Sequence, residues 1–206
     1  MRNKKILLYG ASGHAKVISS IFESMGIVID GIFDDYTKVE LLNNYRVIAG
    51  YDRNYKPNLQ VLISIGDNAI RKRVSELVSH SFTKAIHSSS IIDDFSKVGI
   101  GTAIFQGAII QRDTLIGRHC IINTNASVDH ECIIDDYVHI SPSATLCGNV
   151  SVGEGTHIGA GATVIPNIKI GKWSIIGAGA VITRNVPDYS LIVGVPGRII
   201  KKLDYE

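Results

Sequence analysis

Residues 116–140 read IGRHCIINTNASVDHECIIDDYVHI and belong to a longer stretch, Ile86 to Ile182, that decides the fold. Every sixth residue of this stretch is Ile, Val or Leu, and the residue four places after each is mostly small. A period of six fits neither an amphipathic helix nor the two-residue alternation of an ordinary strand. It is typical of a parallel β-helix, in which each hexapeptide forms one side of a coil. We therefore predict a β-helix domain with a C-terminal cap over residues 86–206.

The composition favours a compact protein. The chain has 206 residues, 45% of them hydrophobic, and a formal net charge of +2. Such a small charge does not favour nucleic acid or an anionic membrane surface as a partner. The apolar run at residues 6–9 is too short for a signal peptide or a membrane span. We expect a cytoplasmic protein with no membrane insertion and no nucleic-acid partner.

Residues 1–85 have the pattern of a small parallel α/β domain. Apolar runs at residues 6–9, 27–33 and 59–65 predict strands, and helical spacing of apolar residues predicts a helix after the first strand. A second helix is predicted with Asn68 as its N-cap. Its apolar face is expected to consist of Ile70, Val74, Leu77 and Val78. This order of strands and helices is typical of a parallel sheet, here a small Rossmann-like one.

The three predicted strands end in residues suited to a ligand. The first is followed by Gly10, Ala11, Ser12, Gly13 and His14, the second by Asp34 and Asp35, and the third by Gly66. Ligands of parallel α/β domains lie beyond the carboxyl ends of the strands. A helix N-terminus after a glycine turn can bind phosphate, and an acid about 20 residues later can accept a hydrogen bond from a ribose hydroxyl. The sequence therefore predicts a mononucleotide or nucleotide-sugar site; a tight turn without a ligand is the alternative.

Asp129, His130 and Glu131 are polar exceptions within the regular repeat. They follow Val128 at a position where a coil turns its corner, so their side chains are expected to point outward. Histidine is suited to act as a base near neutral pH. A carboxylate bonded to its other nitrogen would fix the tautomer. Either Glu131 or Asp129 could be that partner, and an exposed histidine without a role is the alternative.

Further candidates follow from the 18-residue length of one coil. His139 and His157 are 18 residues apart and should stack, with His139 as a hydrogen-bond donor to a ligand and His157 as a surface residue. Because a structural metal site needs about four ligands and no third histidine shares this register, we expect no metal. Ala160 and Ala178 are also 18 apart, and their small side chains would leave a groove beside the backbone. No insertion interrupts the repeat, so the site must use faces and corners, together with a neighbouring subunit.

The chain resembles the PglD/NeuD-like bacterial sugar acetyltransferases, which belong to the hexapeptide-repeat acyltransferases. The resemblance covers nearly the whole chain and rests on the repeat together with five motifs. These are Tyr9-Gly10-Ala11-Ser12-Gly13-His14, Phe33-Asp34-Asp35, Ile65-Gly66-Asp67-Asn68-Ala69-Ile70-Arg71, Val128-Asp129-His130-Glu131-Cys132 and Gly194-Val195-Pro196-Gly197-Arg198.

The resemblance implies a left-handed β-helix, a homotrimer with active sites between subunits, and acetyl-CoA as co-substrate. It implies that the N-terminal domain holds the nucleotide of a UDP-linked amino sugar through Gly10 to His14, Asp34, Asp35 and Gly66. His130 matches the family's catalytic base and Glu131 the residue that increases its basicity. His139, Ala160 and Ala178 match positions that contact acetyl-CoA. Asp67 departs from the Asn of many relatives, which leaves recognition of the base or sugar open.

We therefore expect transfer of an acetyl group from acetyl-CoA to the 4-amino group of a nucleotide-linked sugar, in surface glycan or glycoprotein sugar biosynthesis. Three alternatives remain. One is O-acetylation of sialic acid or a related sugar. The second is a metal-dependent hydratase resembling the β-helix carbonic anhydrases, and the third is a binding module without catalysis. The sequence does not distinguish UDP from dTDP, CMP or GDP.

Overall fold

A computed structural model of the chain describes residues 4–36 and 39–204 and begins with a small α/β sheet. The elements of this part are β1 (Lys5–Tyr9), α1 (Gly13–Ser24), β2 (Val28–Asp34), β3 (Leu41–Leu42), β4 (Tyr45–Ala49), β5 (Gln60–Ile63) and α2 (Asn68–Leu77). The strand order is β3-β4-β2-β1-β5, and β1, β2, β4 and β5 pair in parallel. The predicted parallel α/β domain is confirmed. The β3–β4 hairpin was not predicted, because its strands are short and partly exposed.

The second part of the chain is the predicted β-helix. Its strands are β6 (Ala85–Ile86), β7 (Ile91–Ile92), β8 (Lys97–Val98), β9 (Ala103–Ile104), β10 (Ile109–Ile110), β11 (Leu115–Ile116), β12 (Ile121–Ile122), β13 (Ser127–Val128), β14 (Ile133–Ile134), β15 (His139–Ile140), β16 (Thr145–Leu146), β17 (Ser151–Val152), β18 (His157–Ile158), β19 (Thr163–Val164), β20 (Lys169–Ile170), β21 (Ile175–Ile176), β22 (Val181–Ile182), β23 (Ser190–Val193) and β24 (Arg198–Lys202). Every third strand from β6 to β22 joins the same sheet, which gives the three faces of a prism.

The three faces are sheets of six, five and eight strands. The six-stranded sheet runs from β7 to β22, the five-stranded sheet from β8 to β20, and the eight-stranded sheet from β6 to β24. Paired residues on neighbouring coils are 18 apart, as in the pairing of Ile110 with Val128. The second residue of each short strand points into the prism, where most of these aliphatic side chains are buried. The six-residue pattern therefore sets both the strands and the core.

The turn between faces repeats one backbone conformation. One residue in each hexapeptide between residues 101 and 179 is left-handed, with φ between 50° and 75°. These residues are Gly101, Gly107, Asp113, His119, Asn125, Glu131, Tyr137, Ser143, Asn149, Gly155, Gly161, Asn167, Trp173 and Gly179. Gly, Asn and Asp adopt this conformation most readily, which explains their frequency at the corners. Glu131 and Trp173 adopt it as well, so their side chains leave the corner in the same direction.

Helix α2 differs from its prediction at both its start and its buried face. Asp67 is the N-cap and accepts the Ile70 backbone N–H at 2.8 Å, whereas Asn68 lies in the first turn. The buried helix residues are Asn68, Arg71 and Val74. Two residues assigned to the apolar face, Ile70 and Leu77, are 40% and 57% exposed. The polar side of the helix is buried because it faces the β-helix, as described below.

Candidate active site

His130 lies at a corner of the β-helix directly after β13. Asp129 accepts the backbone N–H of His130 through Oδ1 at 2.8 Å. Glu131 has a left-handed backbone with a φ of 57°, and its carboxylate meets the ring of the preceding residue. The distance from His130 Nδ1 to Glu131 Oε2 is 3.0 Å. Of the two acids that the sequence leaves open, Glu131 therefore pairs with the imidazole, and Asp129 holds the backbone.

This pairing fixes the tautomer of His130. A carboxylate can only accept a hydrogen bond, so the neutral imidazole carries its proton on Nδ1. The lone pair is then on Nε2, as a general base requires. The side chains of His130 and Glu131 are 56% and 66% exposed. A substrate or a second copy of the chain can thus reach Nε2.

The glycine turn after β1 is shaped by close packing and by Asp34. Gly10 has a φ of 107°, and a Cβ atom there would lie 2.7 Å from the Ile65 side chain. The Asp34 carboxylate accepts the backbone N–H of Ala11 at 2.6 Å and that of Tyr36 at 2.9 Å. Asp34 therefore holds the turn in place, in addition to lining the space beyond it.

A cavity of about 810 Å³ opens beyond the ends of these strands. It is lined by Tyr9, Gly10, Ser12, Asp34, Asp35, Tyr36, Ile65, Ile70, Arg73, Val74, Glu76 and Leu77. The Tyr9 hydroxyl donates to Asp35. Burial and this carboxylate raise the pKa of Tyr9, so its phenol stays protonated. Four of the eight residues predicted to bind a nucleotide sugar thus line one cavity, and residues of α2 form its far wall.

His14 lies between the two parts of the molecule. It follows the first residue of α1, and its ring stacks on Phe105 of the β-helix at a centroid distance of 5.3 Å. The ring of His139 is 6.4 Å away. Burial lowers the pKa of His14 to about 4, so the ring is neutral near pH 7. Its Nε2 is buried and has no hydrogen-bond partner among the described residues.

His139 and His157 stack as predicted, with ring centroids 4.7 Å apart and an interplanar angle of 9°. Asn123 accepts the Thr124 backbone N–H through Oδ1, which leaves Nδ2 to donate to His139 Nε2 at 3.1 Å. His139 therefore carries its proton on Nδ1, and burial lowers its pKa to about 3. His157 is not a plain surface residue: its Nε2 lies 2.7 Å from Ser141 Oγ. These rings serve as neutral hydrogen-bonding groups.

Gly66 is separate from the large cavity. It lines a second cavity of about 390 Å³ between the start of α2 and the β-helix. The other lining residues include Asp67, Asn68, His139, His157 and Trp173. Of the residues predicted to bind the nucleotide, Gly66 therefore lies on the side of the two stacked histidines.

Ala160 and Ala178 lie on successive coils at the corner that follows the eight-stranded sheet. The backbone N–H of Gly179 donates to the Ala160 carbonyl at 2.9 Å, which sets the two alanines one above the other. Both are exposed. Their corner directly follows the strands that carry His139 and His157.

Arg71 joins α2 to the β-helix, and it was not predicted as a site residue. It is 1% exposed. Its guanidinium donates to Asn68 Oδ1 and to the backbone carbonyls of Ile65, Gly66, His119 and Tyr137, at 2.7–3.1 Å. Burial lowers its pKa to about 10, so it remains charged near pH 7. Arg71 is three residues before Val74 and seven before Val78, so it shares their helix face. This spacing could have identified Arg71 as a buried residue.

The residues predicted to bind the nucleotide and those predicted to act as the base lie in different places in one chain. The N-terminal domain packs on the eight-stranded sheet, where Ala103, Phe105 and Ile121 share its core. The glycine turn, His14 and His139 are on this side. His130 and Glu131 lie at the corner between the six-stranded and five-stranded sheets, on the opposite edge of the prism. A single chain therefore separates the candidate base from the candidate nucleotide cavity.

Within residues 4–36 and 39–204, no group of three or more His, Cys, Asp or Glu side chains is arranged to hold a metal ion. None of the helices in the described residues is long and apolar enough to cross a membrane.

Comparison with known proteins gives a match in each part of the chain. Residues 5–78 match the PglD N-terminal domain, and residues 149–184 match the bacterial transferase hexapeptide (six repeats). A part of the chain is 31% identical over 114 residues to Uncharacterized protein L142 of Acanthamoeba polyphaga mimivirus. The chain spans 23% of the length of that curated relative.

Similar solved structures cover nearly the whole chain. A mutant of perosamine N-acetyltransferase from Caulobacter crescentus, in complex with CoA and GDP-perosamine, is 33% identical with a TM-score of 0.91. The match covers 98% of this chain and 99% of that one. The acetyltransferase domain of PglB from Neisseria gonorrhoeae FA1090, in complex with acetyl coenzyme A, is 30% identical, with a TM-score of 0.91 and coverage of 96% and 100%. WeeI from Acinetobacter baumannii AYE is 28% identical, with a TM-score of 0.87 and the same coverage. The chain belongs to the PglD/NeuD-like family of bacterial sugar acetyltransferases.

Proposed function

We propose that this protein transfers an acetyl group from acetyl-CoA to the 4-amino group of a nucleotide-linked amino sugar, for surface glycan or glycoprotein sugar synthesis. The observation that carries the proposal is the His130–Glu131 pair, in a chain whose similar structures include one bound to CoA and GDP-perosamine. Residues 1–85 would hold the nucleotide sugar, and residues 86–206 would bind acetyl-CoA and supply the base.

His130 Nε2 takes the proton in the proposed reaction. The neutral amine attacks the thioester carbonyl carbon, a C–N bond forms and the C–S bond breaks. The amine proton passes to Nε2, and the protonated imidazole returns a proton to the departing thiolate, so free CoA and an N-acetyl sugar result. Glu131 stabilises the imidazolium through Nδ1. His14 and His139 are poorer bases because burial lowers their pKa values to about 4 and about 3.

The nucleotide sugar would occupy the cavity of about 810 Å³ beside Gly10 to Gly13, Asp34 and Asp35. Acetyl-CoA would lie along Ala160 and Ala178 and end near His139. Because His130 is on the opposite edge of the protomer, the base is supplied by a neighbouring copy. We therefore propose a homotrimer with its active sites between subunits.

A transfer assay tests the reaction. The protein is incubated with acetyl-CoA and a panel of 4-amino sugars linked to UDP, GDP, dTDP or CMP, and thiol release is followed. We expect thiol release that depends on one of these amino sugars, with an N-acetyl product by mass spectrometry. Matched sugars with a 4-hydroxyl group serve as controls and should release no thiol. Transfer to hydroxyl sugars alone, or to none of the sugars, would exclude this function.

Replacement of His130 tests its proposed role as the base. His130→Ala should lower kcat by about 10²- to 10⁴-fold, because proton removal from the amine is lost. The affinity for the nucleotide sugar should be unchanged, as measured by calorimetry. His87→Ala is a matched control, since His87 is a partly exposed histidine whose ring is hydrogen-bonded to the hydroxyl and the backbone N–H of Ser89. Near-native turnover of His130→Ala would exclude His130 as the base.

A further inference from the structure

Gly148 lies one coil beyond His130 and directly beside its ring. The backbone N–H of Asn149 donates to the His130 carbonyl at 2.9 Å, which sets the register of the two coils. A Cβ atom on Gly148 would lie 2.5 Å from Cε1 and 2.6 Å from Nε2 of the imidazole. Contacts this short do not occur between a Cβ atom and a ring. The imidazole therefore occupies the space that a side chain at position 148 would fill.

The backbone gives no reason for a glycine at this position. The φ angle of Gly148 is outside the left-handed region, since that conformation belongs to the next residue, Asn149. The equivalent position in the other hexapeptides from 100 to 178 is never glycine. It is occupied by Ile100, Gln106, Arg112, Arg118, Thr124, His130, Asp136, Pro142, Glu154, Ala160, Pro166, Lys172 and Ala178. The corner thus accepts side chains of many shapes, and the distinguishing neighbour of Gly148 is the His130 ring.

We propose that Gly148 is a positioning residue for His130. Because Gly148 has no side chain, the imidazole can lie against its backbone while Nδ1 contacts the Glu131 carboxylate. This proposal rests on the proposed role of His130 as the base. The ring is otherwise weakly held, because His130 and Glu131 are both more than half exposed. A methyl group at position 148 displaces the ring and separates Nδ1 from the carboxylate. The imidazole then loses the contact that keeps its proton on Nδ1.

The test compares Gly148→Ala with the native protein by NMR of ¹⁵N-labelled histidine. In the native protein, neutral His130 should carry its proton on Nδ1. In Gly148→Ala the signal should change to the Nε2-protonated form that predominates in free histidine. Glu131→Ala removes the acceptor and should give the same change. Pro166→Ala alters the same corner one coil further on and should leave the signal as in the native protein.

Activity and stability provide two further readouts. Gly148→Ala should lower kcat by about 10- to 10²-fold, since a misplaced catalytic group costs rate without loss of binding, and KM values should stay the same. If the methyl conflicts only with the ring, it should lower the melting temperature in the native background but not in His130→Ala. Because melting temperatures are compared in the two backgrounds, this test works even if Gly148→Ala is poorly stable.

The outcomes separate this proposal from the proposed function. A Gly148→Ala protein that keeps the Nδ1-protonated His130 overturns the positioning role, whatever its activity, because the glycine would then serve something other than the ring. Native kcat in Gly148→Ala overturns it as well. An active His130→Ala protein excludes the proposed role of His130 as the base, but it leaves the tautomer result for Gly148→Ala intact.

Discussion

The histidines of this chain differ in their exposure to solvent. His130 is exposed beside a carboxylate, whereas His119 and His139 are buried. Burial lowers the pKa of His119 to about 4, with the charge of Arg71 as a second cause. Burial also lowers the pKa of His139 to about 3. The rings of His119 and His139 therefore stay neutral near pH 7, which makes them poor proton acceptors.

The buried histidines predict loss of stability in acid. In the unfolded chain they bind protons near pH 6.5, whereas in the folded chain they bind them only near pH 4 or below. Between these values the unfolded state binds more protons, so the free energy of unfolding falls as the pH is lowered. The loss is about 1.4 kcal/mol per pH unit for each such histidine. Urea unfolding at pH 7 and pH 5 measures it.

His119→Phe isolates the contribution of one histidine. The ring of His119 stacks on Tyr137 at 5.4 Å and meets the edge of Phe82 at 4.5 Å, so phenylalanine can keep the aromatic packing. This variant should lose less stability than the native protein between pH 7 and pH 5. An identical pH dependence in both proteins would show that His119 does not titrate as its burial implies.

At the scale of the elements, the repeat was predictable because each hexapeptide contains its own fold signal. An aliphatic residue points inward, and the same spacing returns the chain to the same face three strands later. The pairing of His139 with His157 followed from this register alone. The Ala160 and Ala178 corner followed in the same way. The choice between Glu131 and Asp129 as the partner of His130 could not be made from the residue pattern. The left-handed φ of Glu131 decides which acid contacts the ring.

Helix α2 shows where the sequence is a poor guide. Ile70 and Leu77 looked like core residues, yet both border the large cavity. Arg71 was not assigned to the buried face, yet its guanidinium is buried among carbonyls of the helix start and the β-helix. Helical periodicity identifies a face, but it does not tell whether apolar side chains or buried hydrogen bonds cover that face. The contact with the second domain decides this.

Arg71→Met should therefore destabilise the protein strongly. The substitution leaves the carbonyls of Gly66, His119 and Tyr137 without their buried donor. Each buried carbonyl that loses its donor costs about 1–3 kcal/mol. Urea unfolding should show this loss, whereas Arg73→Met on the same helix should be nearly neutral. Native stability of Arg71→Met would contradict the role of Arg71 in holding α2 to the β-helix.

At the scale of the whole molecule, one protomer carries both halves of the proposed site but keeps them apart. The nucleotide cavity and His139 lie on the side of the N-terminal domain, and His130 lies on the opposite edge of the prism. The five-stranded face of the β-helix also exposes Leu115 and Ile133, at 43% and 48%. A cyclic assembly of three copies would cover apolar surface and bring His130 of one copy to the cavity of the next.

Mixing two inactive variants tests this account most directly. His130→Ala lacks the base, and Ser12→Trp fills the nucleotide cavity. Ser12 is exposed and its side chain makes no capping bond to α1, so its replacement should not harm folding. Each variant alone should be inactive in the transfer assay. When the two are refolded together, about one quarter of the sites should combine an intact cavity with an intact neighbouring His130, if three copies associate at random. We predict recovery of that share of the native acetyl transfer. No recovery, although mixed oligomers form, would contradict a site shared between two copies.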